Sequence, residues 1–413
     1  MIKGNPQVIH GRLFARATVA VVILSAWVDP LSSQRLTFDP SAALTYNYTS
    51  NITFVEEDGR SDYFWRLRLL FPVVRTTRNG SVSFAYSPQI TSFQDVSELD
   101  FVGHRASFGV VQRLSPRSSL GFNAQYSLTQ DQGDPESILD PDLFVFPRVD
   151  QEKGQVSLDY SYDPTVRWGW GFNILAADWN FKPIDDFEQD PEPELVLEDK
   201  QEYRFTVRTS RRISPRSTVG ISYRYQMFRN KESLDENVHG VSFNTNYSIK
   251  ERLTTDFRLG VFRREFEDPP DATLEPREAT NGISGTLGLT RNYRRIGLRF
   301  FVTHTPSGGG TFRGTSDNTV AQFLIRVLEN RKWSFNSSLR WARRDPTELE
   351  QPTVDSYSIR FNMGRTIFRV NRLTLSLSYV SQTAGGDRTD IAGANIGGVW
   401  FPLGRTRLGG GGP

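Results

Sequence analysis

The chain has 413 residues, with 49 basic and 47 acidic side chains, and aromatic residues make up 12% of it. It contains no cysteine, which excludes disulfide bonds, thiolate metal sites and a cysteine nucleophile. Only 37% of the residues are hydrophobic, and beyond residue 33 no apolar run approaches the roughly 20 residues of a membrane helix. This composition is compatible with a membrane β-barrel, where every second residue meets lipid, and with a large soluble β-protein.

The first 33 residues have the pattern of a secretory signal peptide. Basic residues precede an apolar segment of secretory length, residues 17–27. Residues 34–402 are then expected to form the folded domain, and residues 403–413 a flexible tail. Without the signal the chain has 46 basic and 46 acidic residues, so its net charge predicts no binding to nucleic acid.

Alternation of apolar and polar side chains, the signature of strands, begins at Ser41. It covers the segment LTYNYTSNI at residues 44–52 and continues in residues 63–71 after a polar loop. Thr-Arg-Asn-Gly follows at residues 77–80, and Asn-Gly is among the stronger hairpin signals. The chain therefore opens with successive antiparallel strands.

A ten-residue motif occurs twice, as RLSPRSSLGF at residues 113–122 and RISPRSTVGI at residues 212–221. Its Ser-Pro-Arg-Ser core favours a tight turn, because proline fixes φ at the second turn position and serine bonds back to the backbone. Apolar and polar residues alternate after each turn, which predicts a strand with two different faces. The repeated unit is therefore strand, tight turn, strand.

Short and long connections alternate along the whole chain. Short turns are predicted near residues 77–80, 115–118, 163–165, 214–217, 250–252, 291–294, 329–332 and 368–371. Long polar loops are predicted near residues 56–62, 91–101, 130–153, 180–200, 229–238, 267–278, 305–316, 343–354 and 383–390. Seventeen connections join about eighteen strands (16–18), and this pattern predicts an all-β, transmembrane, antiparallel up-and-down barrel with short periplasmic turns and long extracellular loops. A soluble sandwich or propeller, the alternative, predicts no such alternation.

The two faces of the predicted strands differ in charge. Ten arginines share the face occupied by Ser, Thr, Asn and Gln: Arg66, Arg68, Arg204, Arg208, Arg224, Arg258, Arg299, Arg326, Arg340 and Arg360. An arginine facing lipid at the bilayer midplane costs about 2–4 kcal/mol, so these ten are expected to line the lumen. Asp159 and Asp256 are the clear acids on the same face, whereas the loop at residues 185–199 is strongly acidic.

An arginine-lined lumen is expected to favour anions or polyanions, because guanidinium groups pair with carboxylates and phosphates. The alternative is that the inward arginines pair with carboxylates of the protein and stiffen the wall. No metal-binding spacing, nucleophile elbow or nucleotide-binding loop occurs, so the sequence predicts no metal, no cofactor and no enzyme. The histidines beyond the signal, His104, His239 and His304, lie on distant strands.

Three features together resemble the porin-like family of bacterial outer-membrane β-barrels. They are the opening segment at residues 44–52, the Ser-Pro-Arg-Ser hairpins, and the aromatic end of the last strand, Val399-Trp400-Phe401. The resemblance implies a location in the bacterial outer membrane, with lipid, lipopolysaccharide and the barrel-assembly machinery as partners. It transfers no catalytic residue, and some members of the family are associated with exopolysaccharide production and export.

The favoured hypothesis is a passive channel for hydrophilic solutes, small and anionic, or for export of an acidic polysaccharide. A second hypothesis is a plugged barrel with a structural or surface-binding role, which predicts that the loops at residues 130–153 and 180–200 fold into the lumen. A third is an outer-membrane hydrolase, which requires a His–Ser or His–Asp pair at the rim.

Overall fold

The computed structural model describes residues 35–52, 59–130, 149–182, 198–231, 233–267, 277–307, 315–328, 332–347, 351–367, 371–400 and 406–408. The predicted signal peptide, most of the acidic loop at residues 185–199 and most of the tail at residues 403–413 lie outside the described residues.

Twenty strands and one short 3-10 turn, Ser97–Leu99, make up the described regular structure. The strands are β1 (Arg35–Phe38), β2 (Ser41–Thr49), β3 (Asp62–Thr76), β4 (Gly80–Phe93), β5 (Phe101–Ser115), β6 (Ser118–Thr129), β7 (Asp150–Tyr162), β8 (Trp168–Lys182), β9 (Lys200–Ser214) and β10 (Ser217–Asn230). They continue as β11 (Glu236–Lys250), β12 (Leu253–Phe266), β13 (Thr280–Asn292), β14 (Ile296–Ser307), β15 (Ser316–Val327), β16 (Trp333–Pro346), β17 (Val354–Ile367), β18 (Asn371–Ala384), β19 (Asp387–Trp400) and β20 (Thr406–Leu408).

The sheet closes on itself. Each strand from β2 to β19 pairs antiparallel with the next, and β19 pairs with β2 to complete the ring. The short strand β1 and the strand β2 lie in one line of the wall. Pro40, which has no backbone N–H for the ladder, lies between them. β1 pairs with both β3 and β20. Counting β1 with β2 and β19 with β20, the wall has eighteen strands, and the predicted antiparallel barrel is confirmed.

The two copies of the repeated motif form the same turn. In the first, the Arg117 N–H donates to Ser115 Oγ at 3.1 Å, and in the second the Arg216 N–H donates to Ser214 Oγ at 3.2 Å. Each serine thus bonds the backbone two residues ahead, as expected for a serine that opens a turn. All eight predicted short turns fall between strands at the same end of the barrel, called here the turn side.

One predicted loop is wrong. Residues 383–390 were expected to form a long polar connection, but β18 and β19 run on to Ala384 and Asp387. Gly385 and Gly386, with φ of 62° and 112°, make the whole connection. Two consecutive positive φ angles give the turn that matches the right-handed twist of a hairpin, and glycine adopts them without strain.

Large apolar side chains cover the outer face of the wall. Those that are more than half exposed include Trp65, Val102, Ile221, Leu259, Val261, Ile283, Leu339, Tyr357, Ile359, Ile396 and Trp400. So much exposed apolar surface on a closed antiparallel barrel is the face that meets lipid. In the described part of the chain, no helix is long and apolar enough to cross a membrane.

Three arginines of the outer face lie near the turn side, each over an aromatic ring. The guanidinium carbons of Arg211, Arg291 and Arg365 lie 5.1, 4.6 and 4.9 Å from ring centres. The rings belong to Trp168, Tyr293 and Trp333, respectively. Amphipathic rings and long basic side chains prefer the headgroup level of a bilayer, so these pairs mark the membrane boundary on the turn side.

Candidate functional site: the inner wall of the barrel

The register of the strands separates inner from outer residues. Residues paired across an antiparallel ladder point to the same face. In β10 the exposed Tyr223 faces outward, whereas Arg224 and the buried Gln226 face inward. The same alternation, followed around the ring, places all ten of the predicted arginines on the inner face. The next question is what these guanidiniums contact.

Eight of the ten fall into two groups on separate arcs of the wall. The first arginine bank, on β9 to β12, consists of Arg204, Arg208, Arg224 and Arg258. The second arginine bank, on β14 to β17, consists of Arg299, Arg326, Arg340 and Arg360. Arg66 and Arg68 lie on β3, away from both banks in the strand order.

The first bank contains a local excess of positive charge. Arg204 donates from Nε and Nη2 to Glu202 Oε1, at 2.9 and 2.5 Å. Arg224 experiences the charges of Arg204, Arg258 and Glu202. Arg224 is thus influenced by two like charges and one opposite charge, so the local balance around it is positive.

Other inward arginines contact neutral groups. Arg68 donates from Nε and Nη2 to Gln89 Oε1, at 3.1 and 2.9 Å. Arg66 and Arg299 lie over the rings of Phe64 and Phe301, each at 5.4 Å. An amide oxygen or a ring orients a guanidinium without cancelling its charge.

Sequence reasoning missed a buried cluster at the loop-side end, around Glu236 on β11. Glu236 is 2% exposed, and its carboxylate lies 3.2 Å from Arg264 Nε. Its Oε1 accepts hydrogen bonds from the hydroxyls of Thr315 and Thr347, and Arg264 Nη2 contacts Asp317 at 2.8 Å. The alternation could have found it, because Glu236 and Arg264 occupy inward positions of β11 and β12.

The inner wall differs between its two ends. On the turn side, inward residues such as Asn246 and Asp256 are exposed to the lumen. On the loop side, inward residues are buried, and apolar ones form clusters. One cluster joins Ile52, Phe64, Phe93, Val96 and Leu99, another joins Phe228, Val238 and Phe262. The predicted loop at residues 91–101 thus contributes three buried apolar side chains, Phe93, Val96 and Leu99.

A third apolar cluster spans the lumen. Val149, just before β7, packs with Val320, Ala342 and Val354 on the inner faces of β15, β16 and β17. In an eighteen-strand ring β16 lies nine steps from β7, on the opposite side of the barrel. Val149 belongs to the predicted loop at residues 130–153, so the described end of that loop contacts the opposite wall. Residues 131–148 lie outside the described residues.

The three histidines of the barrel lie on its outer face. His104 Nδ1 is 2.8 Å from the Tyr86 hydroxyl, and His239 Nδ1 is 2.9 Å from the Tyr223 hydroxyl. His304 Nδ1 is 2.8 Å from Thr319 Oγ1. These histidines therefore contact hydroxyls of neighbouring strands. Among the described residues, no group of three or more His, Cys, Asp or Glu side chains is arranged to hold a metal ion.

No family model matches the chain, and no curated protein sequence matches it either. Solved structures similar to it include OccK2 (OpdF) of Pseudomonas aeruginosa, with 11% identity, a TM-score of 0.49, and coverage of 89% of this chain and 97% of that one. The outer membrane protein OpdK of the same organism has 11% identity, a TM-score of 0.46, and coverage of 89% and 99%. OccAB4 of Acinetobacter baumannii has 8% identity, a TM-score of 0.49, and coverage of 90% and 99%. At these identities the likeness concerns the barrel architecture and extends to no residue of the inner wall.

Proposed function

We propose that this protein is a porin-like channel of the bacterial outer membrane, through which hydrophilic solutes diffuse passively and anions are preferred. The apolar outer face of a closed antiparallel barrel is the surface expected of an outer-membrane protein. The observation that carries the anion preference is the first arginine bank, where Arg224 lies within the fields of Arg204 and Arg258 and of one carboxylate, Glu202, which is bonded to Arg204. A cationic wall lowers the energy of an anion in a narrow pore and raises that of a cation.

Planar-bilayer recording in a potassium chloride gradient tests this proposal. The wild-type channel is expected to reverse at a potential that shows preference for chloride. Replacing Arg224, Arg299 and Arg340 together by glutamine is expected to lower the ratio of chloride to potassium permeability several-fold, because three inward charges are lost. The reversal potential should shift accordingly. An absence of conductance, or a selectivity that this triple variant leaves unchanged, contradicts the proposal.

The chain provides a matched control for the loss of charge. Arg211, Arg291 and Arg365 are also arginines of the wall, but they lie on the outer face beside aromatic rings. Their replacement by glutamine removes the same charge from the protein and none from the lumen, so the reversal potential is expected to stay at the wild-type value. An equal shift in both variants would show that net charge, and not the lining, determines selectivity.

The same wall is suited to an extended polyanion. Guanidiniums on separate arcs of the lumen would contact successive carboxylates of an acidic polysaccharide that passes along the barrel axis. Transient block of the chloride current by alginate, weaker in the triple glutamine variant and absent with neutral dextran, is the expected result for this solute class.

A barrel with its lumen closed on the loop side is a second candidate, favoured by the packing of Val149 against the opposite wall. Such a protein would have a structural or surface-binding role. Replacing residues 131–148 by a short glycine-serine linker distinguishes the two. A closed barrel is expected to conduct only after the replacement, whereas a channel conducts before it.

A further inference from the structure

One position is basic in six successive short turns of the barrel. It is the last residue of the turn, directly before the next strand begins. Its backbone carbonyl oxygen accepts a hydrogen bond from the neighbouring hairpin, at N···O distances between 2.7 and 2.9 Å. The six residues are exposed, and they are Arg117, Arg167, Arg216, Arg252, Arg295 and Lys332. Because the same bond recurs at every second strand, these residues lie at one level of the barrel, about 10 Å apart.

Acidic residues are scarce at the same level. The described residues that connect the strands at the short turns include eight bases and two acids, Asp163 and Glu251. Each of the seven turns with described residues contains at least one of these bases. Two acids cannot neutralise eight bases. The turn-side rim, defined as these turns and the strand ends beside them, therefore has an excess of positive charge.

Arginines of the outer face at the loop side have carboxylate partners within the protein. Three of them each contact the carboxylate two residues further along the same strand, at 2.8, 2.9 and 3.1 Å. The pairs are Arg263–Glu265, Arg343–Asp345 and Arg388–Asp390. The charge of each guanidinium is therefore balanced by its own strand, and no external anion is required there.

The outer-face arginines of the turn-side rim have a different neighbour. Arg211, Arg291 and Arg365 each lie over an aromatic ring. A ring orients a guanidinium and leaves its positive charge in place. The same residue type on the same face is thus neutralised by the protein at one end of the barrel and left cationic at the other. The counterions of the turn-side rim must come from outside the chain.

Aromatic rings place the cations of the turn-side rim at the depth of the lipid headgroups. Arg167 directly precedes Trp168, and Lys332 directly precedes Trp333. Both tryptophans lie on the outer face, as their ladder partners do. Tryptophan prefers the boundary between the hydrocarbon and the water. Cations that adjoin these rings in the chain therefore lie where the phosphate groups of the adjacent leaflet are found.

The circular arrangement of the cations favours a lipid partner over a soluble one. A folded protein or a polymer strand would contact one arc of the rim, whereas the cations occur on successive turns around the barrel. The bilayer is the surface that surrounds a membrane barrel on all sides. Its phosphate groups accept paired hydrogen bonds from guanidinium groups, and a leaflet with net negative charge attracts basic residues at its surface.

We propose that the turn-side rim binds the headgroups of anionic phospholipids in the leaflet that it contacts, with Arg211, Arg291 and Arg365 nearest the hydrocarbon. Short turns of outer-membrane barrels lie on the periplasmic side, so this leaflet is the periplasmic one. The binding requires the membrane location of the barrel, but it does not require an open pore. A barrel that fails to conduct ions and still prefers anionic lipid would retain this binding and lose the channel function alone.

Electron spin resonance of the full barrel in phosphatidylcholine bilayers tests this proposal. Trace spin-labelled phosphatidylglycerol or phosphatidylcholine reports the fraction of each lipid that the protein immobilises. Phosphatidylglycerol is expected to associate at least about twofold more strongly at low salt, averaged over all lipids that contact the barrel. The preference should disappear at about 1 M salt, where the Debye length is about 3 Å. Equal association at low salt, or a preference that high salt leaves unchanged, overturns the proposal.

Two triple glutamine variants then locate the binding. The rim variant replaces Arg211, Arg291 and Arg365, and it is expected to lower the preference for phosphatidylglycerol by about half, because the cations of the turns remain. The lumen variant replaces Arg224, Arg299 and Arg340. It removes the same charge from the protein but none from the lipid-facing surface, so the lipid preference should stay at the wild-type value. Equal losses in the two variants, or no loss in the rim variant, overturn the proposal.

Soluble anions distinguish the lipid from other sources of the same chemistry. Excess glycerol phosphate, which has the phosphate without the acyl chains, should leave the lipid preference unchanged, because the bilayer holds its headgroups at a high effective concentration beside the rim. Loss of the preference in its presence would assign the rim to a free phosphate compound and overturn the proposal. Equal association of the two lipids, together with alginate binding that the rim variant loses, would assign the rim to a soluble polyanion and likewise overturn it.

Discussion

The loop-side and turn-side halves of the lumen are made by the same eighteen strands, yet they follow different physical rules. On the turn side, inward side chains are small or polar and remain wet, and the wall is held by its backbone ladders. On the loop side, inward side chains pack as in a protein core, with apolar clusters and a charged cluster that is almost fully buried. The difference shows that one sheet can line a solvated lumen at one end and enclose a packed core at the other.

The buried charge of Glu236 should distinguish the halves most strongly. Glu236→Ala removes the more deeply buried of the two carboxylates beside Arg264, whose side chain is 4% exposed, and is expected to cost about 3 kcal/mol of unfolding free energy. Asp256→Ala, which removes an exposed inward acid on the turn side, should cost less than about 1 kcal/mol. Urea unfolding of the barrel in lipid vesicles measures both values. Similar losses would show that the halves do not differ in their burial of charge.

Apolar inward residues provide a second comparison. Phe228 is 2% exposed and packs with Val238 and Phe262, so Phe228→Ala is expected to cost about 3 kcal/mol. Val111 also faces inward, near the turn side, but is 54% exposed. Val111→Ala should therefore change the unfolding free energy by no more than about 0.5 kcal/mol. If both variants unfold at the same urea concentration, the loop-side clusters do not act as a core.

The smallest effect is expected at the rim, in the loop that follows β12. Hydrogen bonds from Arg229 and Asn237 hold the pKa of Glu267 below its usual range. A carboxylate with a lowered pKa stabilises the fold above its unfolded pKa of about 4.3, and this contribution is lost as the pH falls through the folded value. Since the Glu267 side chain is 43% exposed, the contribution is about 0.5 kcal/mol.

Glu267→Gln should therefore be less stable than the wild type by that small amount at pH 7, and equal to it well below pH 4. Paired urea titrations at the two pH values measure the difference. A gap that persists in acid would assign the effect to packing of the side chain and not to its charge.

Most of the fold could be predicted from the sequence. Alternation along each strand indicates which residues share a face, such as Arg224 and Gln226, because the period of a strand allows only two directions. Turn chemistry located the tight connections on the turn side. The hairpin turn at Gly385 and Gly386 is not predicted by this reasoning, because the polar residues around it, among them Thr383 and Arg388, belong to strands and not to a loop.

The loop-side core could not be predicted from the sequence, for a physical reason. Periodicity reports which face a side chain points to, but not whether anything lies against it. Glu236 and Asp256 both occupy inward positions, in neighbouring strands. Glu236 is buried because other parts of the chain pack over it, whereas Asp256 is exposed to solvent.

The pairing of β19 with β2 bears on how the barrel closes during folding. Tyr46 lies opposite Ile396, a partner 350 residues away along the chain. Until that last rung forms, a strand edge with free amide and carbonyl groups faces the hydrocarbon, which is prohibitively costly over its length. Loss of β2 or of β19 would therefore leave unpaired edges in the hydrocarbon, so the closed wall depends on both ends of the barrel sequence.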